Sequence, residues 1–303
     1  MNNGGVDLRR LQLLVELSRL GSMRAVAETH DLTTSTVSQQ IAALARDVGT
    51  ALVEPDGRRV RLTPAGLRLA DHAVTILAGV DAARADLDPR AEPAGTLRVG
   101  GFATAVRASL LPVMAELEQI HPAVRVLVSE FEPLEALALL VDDDLDLALT
   151  YDYNLAPVPR DRALVAVPLW TTAWALAVPA DADAPSPVDD LGTWSEHEWI
   201  VNSRNTADEA VVRTLSSLAG FAPRISHRID SLDLVEDLIL AGHGIGLLPA
   251  GRSPREGVRL LELRDPAVRL TAYAVTRLGR ERWSPLRLLM DRLASRGLDG
   301  EPF

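Results

Sequence analysis

The feature that most constrains this chain is a short stretch, Thr33 to Val48, in which Val37, Ile41, Leu44 and Val48 recur at spacings of 4, 3 and 4. That spacing predicts a helix with one apolar stripe turned to a core. Thr33 or Thr34 is placed to cap it. The opposite face presents Ser35, Ser38 and Gln39 and, a turn further on, Arg46. Short, uncharged polar side chains of this kind fit a major groove and bond base edges, while a helix N-terminus favours phosphate. An ordinary solvated helix face would carry the same residues.

The flanks add to the first reading. Leu11, Leu14, Val15 and Leu17 predict a helix from about Leu8 to Leu20, closed by Gly21. Ser22 caps a second, alanine-rich helix to about His30, and Asp31-Leu32 makes a tight turn into the third. Downstream, Ala51–Glu54 and Arg58–Leu62 read as two short strands around the turn residues Pro55-Asp56-Gly57. A hairpin carrying Arg58, Arg59 and Arg61 directly after a helix-turn-helix is a candidate wing for gripping phosphates. A solvent-exposed basic turn is the alternative. Ser22, Thr33, Thr34 and Thr36, at or beside helix N-termini, complete the candidate DNA-binding set.

Thr63-Pro64 opens a helix of roughly 25 residues. Leu67, Ala70, Val74 and Leu77 form one apolar stripe, and Leu69, Ala73, Ile76 and Val80 another. A helix apolar on more than one face needs a partner. Dimerisation is one reading, and a dimer suits the reading of two half-sites. Packing on the chain's own C-terminal part is the other.

Charge separates head from body. The 303 residues carry a net −11, which alone argues against nucleic acid. Residues 1–70, however, hold nine Arg against seven Asp and Glu, a net +2, and the remaining 233 carry −13. There is no lysine and no cysteine. The second absence removes disulfides, thiolate zinc sites, thiol nucleophiles and thiol-based redox sensing. With 47% hydrophobic residues the chain is not disordered, and no run reaches the ~18 apolar residues of a membrane span. The first residues lack a signal-peptide pattern, so a cytoplasmic location is expected.

Beyond the Pro- and Gly-containing stretch from Asp88 to Gly95, β-rich runs alternate with amphipathic helices, the pattern of α/β lobes with largely parallel sheets. Strands are expected at 96–101, 124–128 and 145–150, with Tyr151 and Tyr153 following the third. Asp142-Asp143-Asp144 reads as a solvated turn, not a metal site. A second lobe begins near Pro168, with strands at 176–179 and 198–201, a helix from about Thr206 to Leu218, and another opened by Ser231. Residues 270–276 return to the first lobe before a final helix from about Ser284 to Arg296. Ligands bind in open α/β sheets where strand-to-helix turns point helix N-termini at one edge.

Taken in order, Ala25-Val26-Ala27-Glu28, Leu32-Thr33, Val37-Ser38-Gln39-Gln40-Ile41, Leu44, Val48–Glu54 and Gly57–Gly66 resemble the N-terminus of the LysR-type transcriptional regulators. The resemblance extends through the C-terminal half, including Gly242–Pro249. It departs at Thr34-Ser35, where the family usually has Gln-Pro, at Leu44-Ala45, usually Leu-Glu, and at Val53-Glu54-Pro55, usually Phe-Glu-Arg. The operator sequence therefore does not carry over. The resemblance implies an α/β protein with an N-terminal winged helix-turn-helix (about 1–62), a linker and dimerisation helix with hinge (about 63–93), and a two-lobed periplasmic-binding-protein-like effector domain (about 94–303). Lobe I would take about 94–165 and 268–303, and lobe II about 166–267. It implies double-stranded DNA and a small-molecule effector as partners, and a homodimer that often assembles into a homotetramer. By position it places Phe102, Thr104, Glu132, Tyr151, Asn202, Ser203, Ser231 and Leu232 near the effector. Thr104, Glu132 and Ser231 also suit helix caps. A carboxylate at Glu132 would disfavour a simple anionic effector unless it faces away.

An enzyme finds little support. The six histidines have no metal-ligand spacing, and GxSxG, HExxH and P-loop motifs are missing. Gly242-His243-Gly244-Ile245-Gly246 follows a helix rather than a strand, so no dinucleotide site is expected. No cofactor, metal or catalytic residue is assigned.

Overall fold

Local capping decides the first 62 residues. In the computed structural model, which describes residues 6–56, 59–87, 92–159, 161–188, 190–204 and 206–297, α1 (Leu8–Leu20) starts at Asp7, whose carboxylate accepts from the Arg9 N–H at 2.8 Å. It ends at Gly21, whose φ of 61° suits a residue without Cβ. α2 (Met23–Thr29) is capped by Ser22, and Asp31 turns the chain at φ 55°. α3 (Thr34–Val48) is capped by Thr33, whose Oγ1 accepts from the Thr36 N–H at 3.1 Å. β1 (Val53–Asp56) and β2 (Arg59–Leu62) pair as an antiparallel hairpin. Val37, Ile41 and Leu44 are fully buried against α1 and α2 residues such as Leu14 and Val26.

α4 (Pro64–Leu87) contributes to this core from both of its predicted stripes, Ala70 and Leu77 from one, Leu69 and Ala73 from the other. Another side packs on the chain's own C-terminal domain. Arg277 pairs with Asp71 at 2.9 Å, and the Thr75 hydroxyl donates to the Leu278 carbonyl at 3.1 Å. Gly279, at φ 89°, lies so close to Thr75 that a Cβ would collide with it. Ile76, Ala83 and Leu87 remain exposed, and Val80 is half-buried.

The C-terminal domain runs β3 (Gly95–Gly101), α5 (Ala103–Ala105), a π-helical turn Val106–Leu110, α6 (Leu111–Ile120), β4 (Val124–Glu130), α7 (Pro133–Val141), β5 (Leu147–Tyr153) and β6 (Leu164–Pro179). It continues through β7 (Glu198–Val201), α8 (Ala207–Leu218), β8 (Arg224–Arg228), α9 (Leu232–Leu240), β9 (Ile245–Pro249), β10 (Val258–Leu261), β11 (Val268–Arg277) and α10 (Ser284–Gly297). One sheet orders the strands β4-β3-β5-β11-β6-β9-β7-β8, with β10 beside β6. The outer pairs β3–β4, β3–β5, β7–β8 and β7–β9 are parallel. The central pairs, all involving β6 or β11, are antiparallel. The sheet is thus mixed, rather than the largely parallel pair expected.

Two expectations change here. β6 is one strand of 16 residues starting at Leu164, not a late strand starting at Leu176. Its first part pairs with β11 and its last part with β9 and β10, so β6 and β11 join the two outer blocks. Pro168, which lacks an N–H, sits beside a β-bulge, where β6 carries the extra residue Leu169 between the partners of Ala272 and Tyr273 and a strand tolerates a proline. Tyr151 and Tyr153 lie within β5 rather than after it.

Below the sheet, Asp146 is 2% exposed. It accepts from the Arg98 N–H at 2.8 Å, from Arg98 Nε and Nη2 at 3.1 Å, and from Arg280 Nη2 at 3.0 Å. Burial alone would raise this carboxyl, but the two guanidiniums hold it below the ordinary range. Asp143, predicted in a solvated turn, is instead buried at φ 61°, 3.7 Å from Arg277. Burial outweighs the nearby arginines and raises its pKa.

Candidate functional site

On the head, α3 turns Thr34, Ser35, Ser38, Gln39 and Arg46 to solvent. Thr33, Ser35 and Thr36 are tied locally, with the Thr33 hydroxyl 2.8 Å from those of both neighbours. Arg46 Nε reaches back to the Ala42 carbonyl at 3.4 Å. Ser22 is half-buried at its cap, its Oγ accepting from the Ala25 N–H at 3.4 Å. In the hairpin, the exposed Arg61 pairs with Glu54 at 2.8 Å, which offsets part of its charge. Arg58 and the Arg59 side chain lie outside the described residues.

The second site is a cavity of about 450 Å³ between the outer blocks of the sheet. Phe102, Thr104, Glu132, Tyr151, Asn202, Ser231 and Leu232 line it. Ser203 does not; its N–H donates to Asp230 at 2.7 Å and its hydroxyl bonds the same carboxylate. Ser231 caps α9 through Leu234 N–H. Glu132 caps α7 in a reciprocal box with Glu135, whose Oε2 accepts from the Glu132 N–H at 3.0 Å. Thr104 is no cap: it lies inside α5, and the N-cap position falls to Phe102, without a side-chain bond.

Glu132 does not face away. It is 7% exposed and accepts from the Tyr151 hydroxyl at 3.0 Å, and that oxygen in turn accepts from Asn202 Nδ2 at 3.2 Å. Three groups of lining residues escaped the sequence reading. Trp170, Thr172 and Trp174 come from β6, Asp208 from α8, and Arg107, Asp230, Asp233 and Arg252, with Glu130 at the end of β4, from positions around the rim. Trp170 and Trp174 stand four residues apart and so share one face of β6. Recognising β6 as continuous would have revealed them.

Asp208 accepts from the Tyr153 hydroxyl at 2.8 Å. Burial pushes its pKa up to about 7; the Tyr153 bond opposes this, while Glu132 and Asp230 add to it. Burial and the same carboxylate raise Tyr153 well above the ordinary tyrosine value. At the rim, Arg204 spans the cleft. Its Nε holds Asp230 at 3.0 Å on its own side, and its outer nitrogens reach Glu130 at 3.2 Å and Glu135 at 3.5 Å on the other. Burial would raise Asp230, but bonds from Ser203 and Arg204 keep it below the usual range.

A helix-turn-helix head with an exposed polar face, joined by one long helix to a two-block α/β body with a central cleft, has matches among known proteins. Residues 8–67 match the family described as bacterial regulatory helix-turn-helix protein, lysR family, and residues 90–297 match the LysR substrate binding domain. The chain belongs to the LysR family of transcriptional regulators. It is 30% identical to the DNA-binding transcriptional dual regulator OxyR of Escherichia coli K12, over 95% of this chain and 94% of that one. It is 27% identical to the transcriptional dual regulator GltC of Bacillus subtilis, over 91% and 92%. In fold it resembles a full-length cysteine-to-aspartate variant of OxyR from Pseudomonas aeruginosa, with a TM-score of 0.71, 19% identity, and coverage of 96% and 98%. It also resembles full-length CbnR in complex with its target DNA, with a TM-score of 0.51, 21% identity, and coverage of 96% and 99%. This LysR-type regulator is a DNA-binding transcription factor with an effector-binding domain, not an enzyme. It has no cysteine, so no thiol can serve as its sensing group. Among the described residues no helix is long and apolar enough to cross a membrane.

Proposed function

We propose that this LysR-type regulator acts in the cytoplasm and reads its operator through the exposed face of α3. Thr34, Ser35, Ser38 and Gln39 meet base edges, Gln39 being suited to adenine. Ser22, Thr33 and Thr36 place helix N-termini against phosphate, and Arg46, Arg58, Arg59 and Arg61 add backbone contacts. The observation that carries this reading is the division of α3, with Val37, Ile41 and Leu44 completely buried and the polar residues opposite them exposed.

Two chains pair through α4, where Ile76, Val80, Ala83 and Leu87 repeat at 4–3–4 spacing along its uncovered side. A second pairing makes a tetramer. The head occupies about 1–62, the linker 63–93 and the effector domain the remainder. Phe102, Thr104, Glu132, Tyr151, Asn202, Ser231 and Leu232 contact the effector, with Ser203 supporting them through Asp230. An effector that binds one arrangement of the lobes better than another shifts DNA affinity by that difference.

The test is to map the DNA bound by the full-length protein, then titrate a recovered site at several salt concentrations. Affinity should fall steeply with salt while the preferred sequence stays the same. Gln39→Ala should relax preference at one base pair by about 1–3 kcal/mol and leave the salt slope unaltered, whereas Arg46→Ala should reduce the slope by about one. Binding without any sequence preference would defeat the reading.

A further inference from the structure

We propose that the cleft takes a small organic cation, a protonated amine that also carries an oxygen acceptor. This rests on reading the cleft as the effector site and narrows it to a ligand class.

The hydrogen-bond polarity of the cleft points to a donor. Tyr151 has one hydroxyl proton, and it goes to Glu132. Its oxygen must then accept from Asn202, which fixes the amide with Nδ2 toward Tyr151. Asn202 Oδ1 is left as an acceptor, buried, with no partner among the described residues, on a residue 4% exposed. A buried acceptor of this kind is destabilising until an N–H or O–H reaches it. On the same lining, Trp174 has its Nε1 buried without an acceptor among the described residues. One ligand carrying both a donor and an acceptor would satisfy both atoms.

Charge decides what kind of donor. The lining holds five carboxylates and two guanidiniums. Of the two, Arg252 is already engaged by Asp233 and by Glu236 at 3.0 Å. From the rim, Arg204 offers a third guanidinium to Glu130 and Asp230, so the carboxylates there already attract a cation tethered to the chain itself. An anion entering here would meet more carboxylates than guanidiniums, even with Arg107 and Arg204 counted. Aromatic residues make up only 4% of the chain, yet Phe102, Tyr151, Trp170 and Trp174 all line this one cavity. Ring faces are negative and attract ammonium groups. Acids, rings and an unpaired amide oxygen therefore select the same chemistry.

The test uses three compounds on one skeleton: 2-amino-1-phenylethanol, 1-phenyl-1,2-ethanediol and mandelate, titrated calorimetrically into the full-length protein. The amine should bind at least about tenfold more tightly than the diol, and mandelate should not bind. Asn202→Leu and Glu132→Gln should each weaken the amine about tenfold or more. Asn202→Asp, which keeps an acceptor there, should retain it, an outcome that a purely structural role for the amide would not produce. Mandelate binding as tightly as the amine, or no amine binding at about 10 mM, would overturn the assignment. DNA affinity measured in the same samples separates the two readings. If mandelate binds and alters DNA affinity, the cation class fails and the regulatory cleft stands. If the amine binds and DNA affinity is unchanged, the cation class stands and the regulatory cleft fails.

Discussion

Two arginine–carboxylate clusters in the effector domain use the same chemistry for opposite ends. Asp146 with Arg98 and Arg280 sits under the sheet, its carboxylate almost sealed from water. Arg204 with Glu130, Glu135 and Asp230 sits at the cleft rim, its side chain 36% exposed. Burial raises the cost of separating charges, because each one left behind has no water to turn to. At the rim, solvent replaces a lost partner at little cost. The first cluster is therefore a fixture, and the second can be exchanged.

Three measurements sharpen or break that contrast. The largest effect is expected for Asp146→Ala, which strands Arg98 and Arg280. Chemical denaturation should show a loss of about 3–5 kcal/mol. A loss near zero would mean that the buried cluster is as exchangeable as the rim.

Next comes Asp208, which lies between the two in exposure. Its folded pKa of about 7 lies above the ordinary 3.8, so the folded chain keeps a proton that the unfolded chain has released. That contribution to stability is complete below about pH 4 and is lost as pH rises through about 7. Asp208→Asn should match the wild type at pH 4 and exceed it at pH 8, by on the order of 2 kcal/mol in thermal or denaturant melts. Parallel pH profiles would mean that the folded chain does not hold that proton.

The smallest effect is expected for Arg204→Gln, within about 1 kcal/mol of wild-type stability. Its consequence should appear in shape, as a larger radius of gyration by small-angle scattering when the rim contacts are lost. Destabilisation on the scale of Asp146→Ala would erase the distinction between the clusters.

The same division explains what could be read from the sequence. The head was legible because its signals are local: Ser22 and Thr33 as caps, Gly21 as a stop, and a 4–3–4 apolar spacing in α3. In the body, strand and helix positions were legible, and seven of the eight candidate ligand contacts share the cavity. What stayed hidden depends on distant partners. Asp143 looks like a turn residue until Arg277, far along the chain, is brought beside it. Pro168 looks like a strand breaker until pairing with β11, through a bulge at Leu169, houses it inside β6. Arg204 has no local signature; its partners at Glu130 and Asp230 lie 74 and 26 residues away.

β11 has one end in the cleft, where Leu270 contributes to the lining, and the other at Arg277, which grips Asp71 on the linker helix. It can be viewed as a lever. Seven residues of strand span about 24 Å, and a helix of 24 residues is about 36 Å long. If strand and helix turn together about that grip, a sideways step of about 1 Å at Leu270 rotates them by about 2–3° and carries the Leu87 end of the helix, about 24 Å from Asp71, by about 1 Å. A shift in the cleft is thereby passed into the linker helix. Gly279 is the thrust bearing of this linkage: a side chain there would push Thr75 away and uncouple the lever from its load.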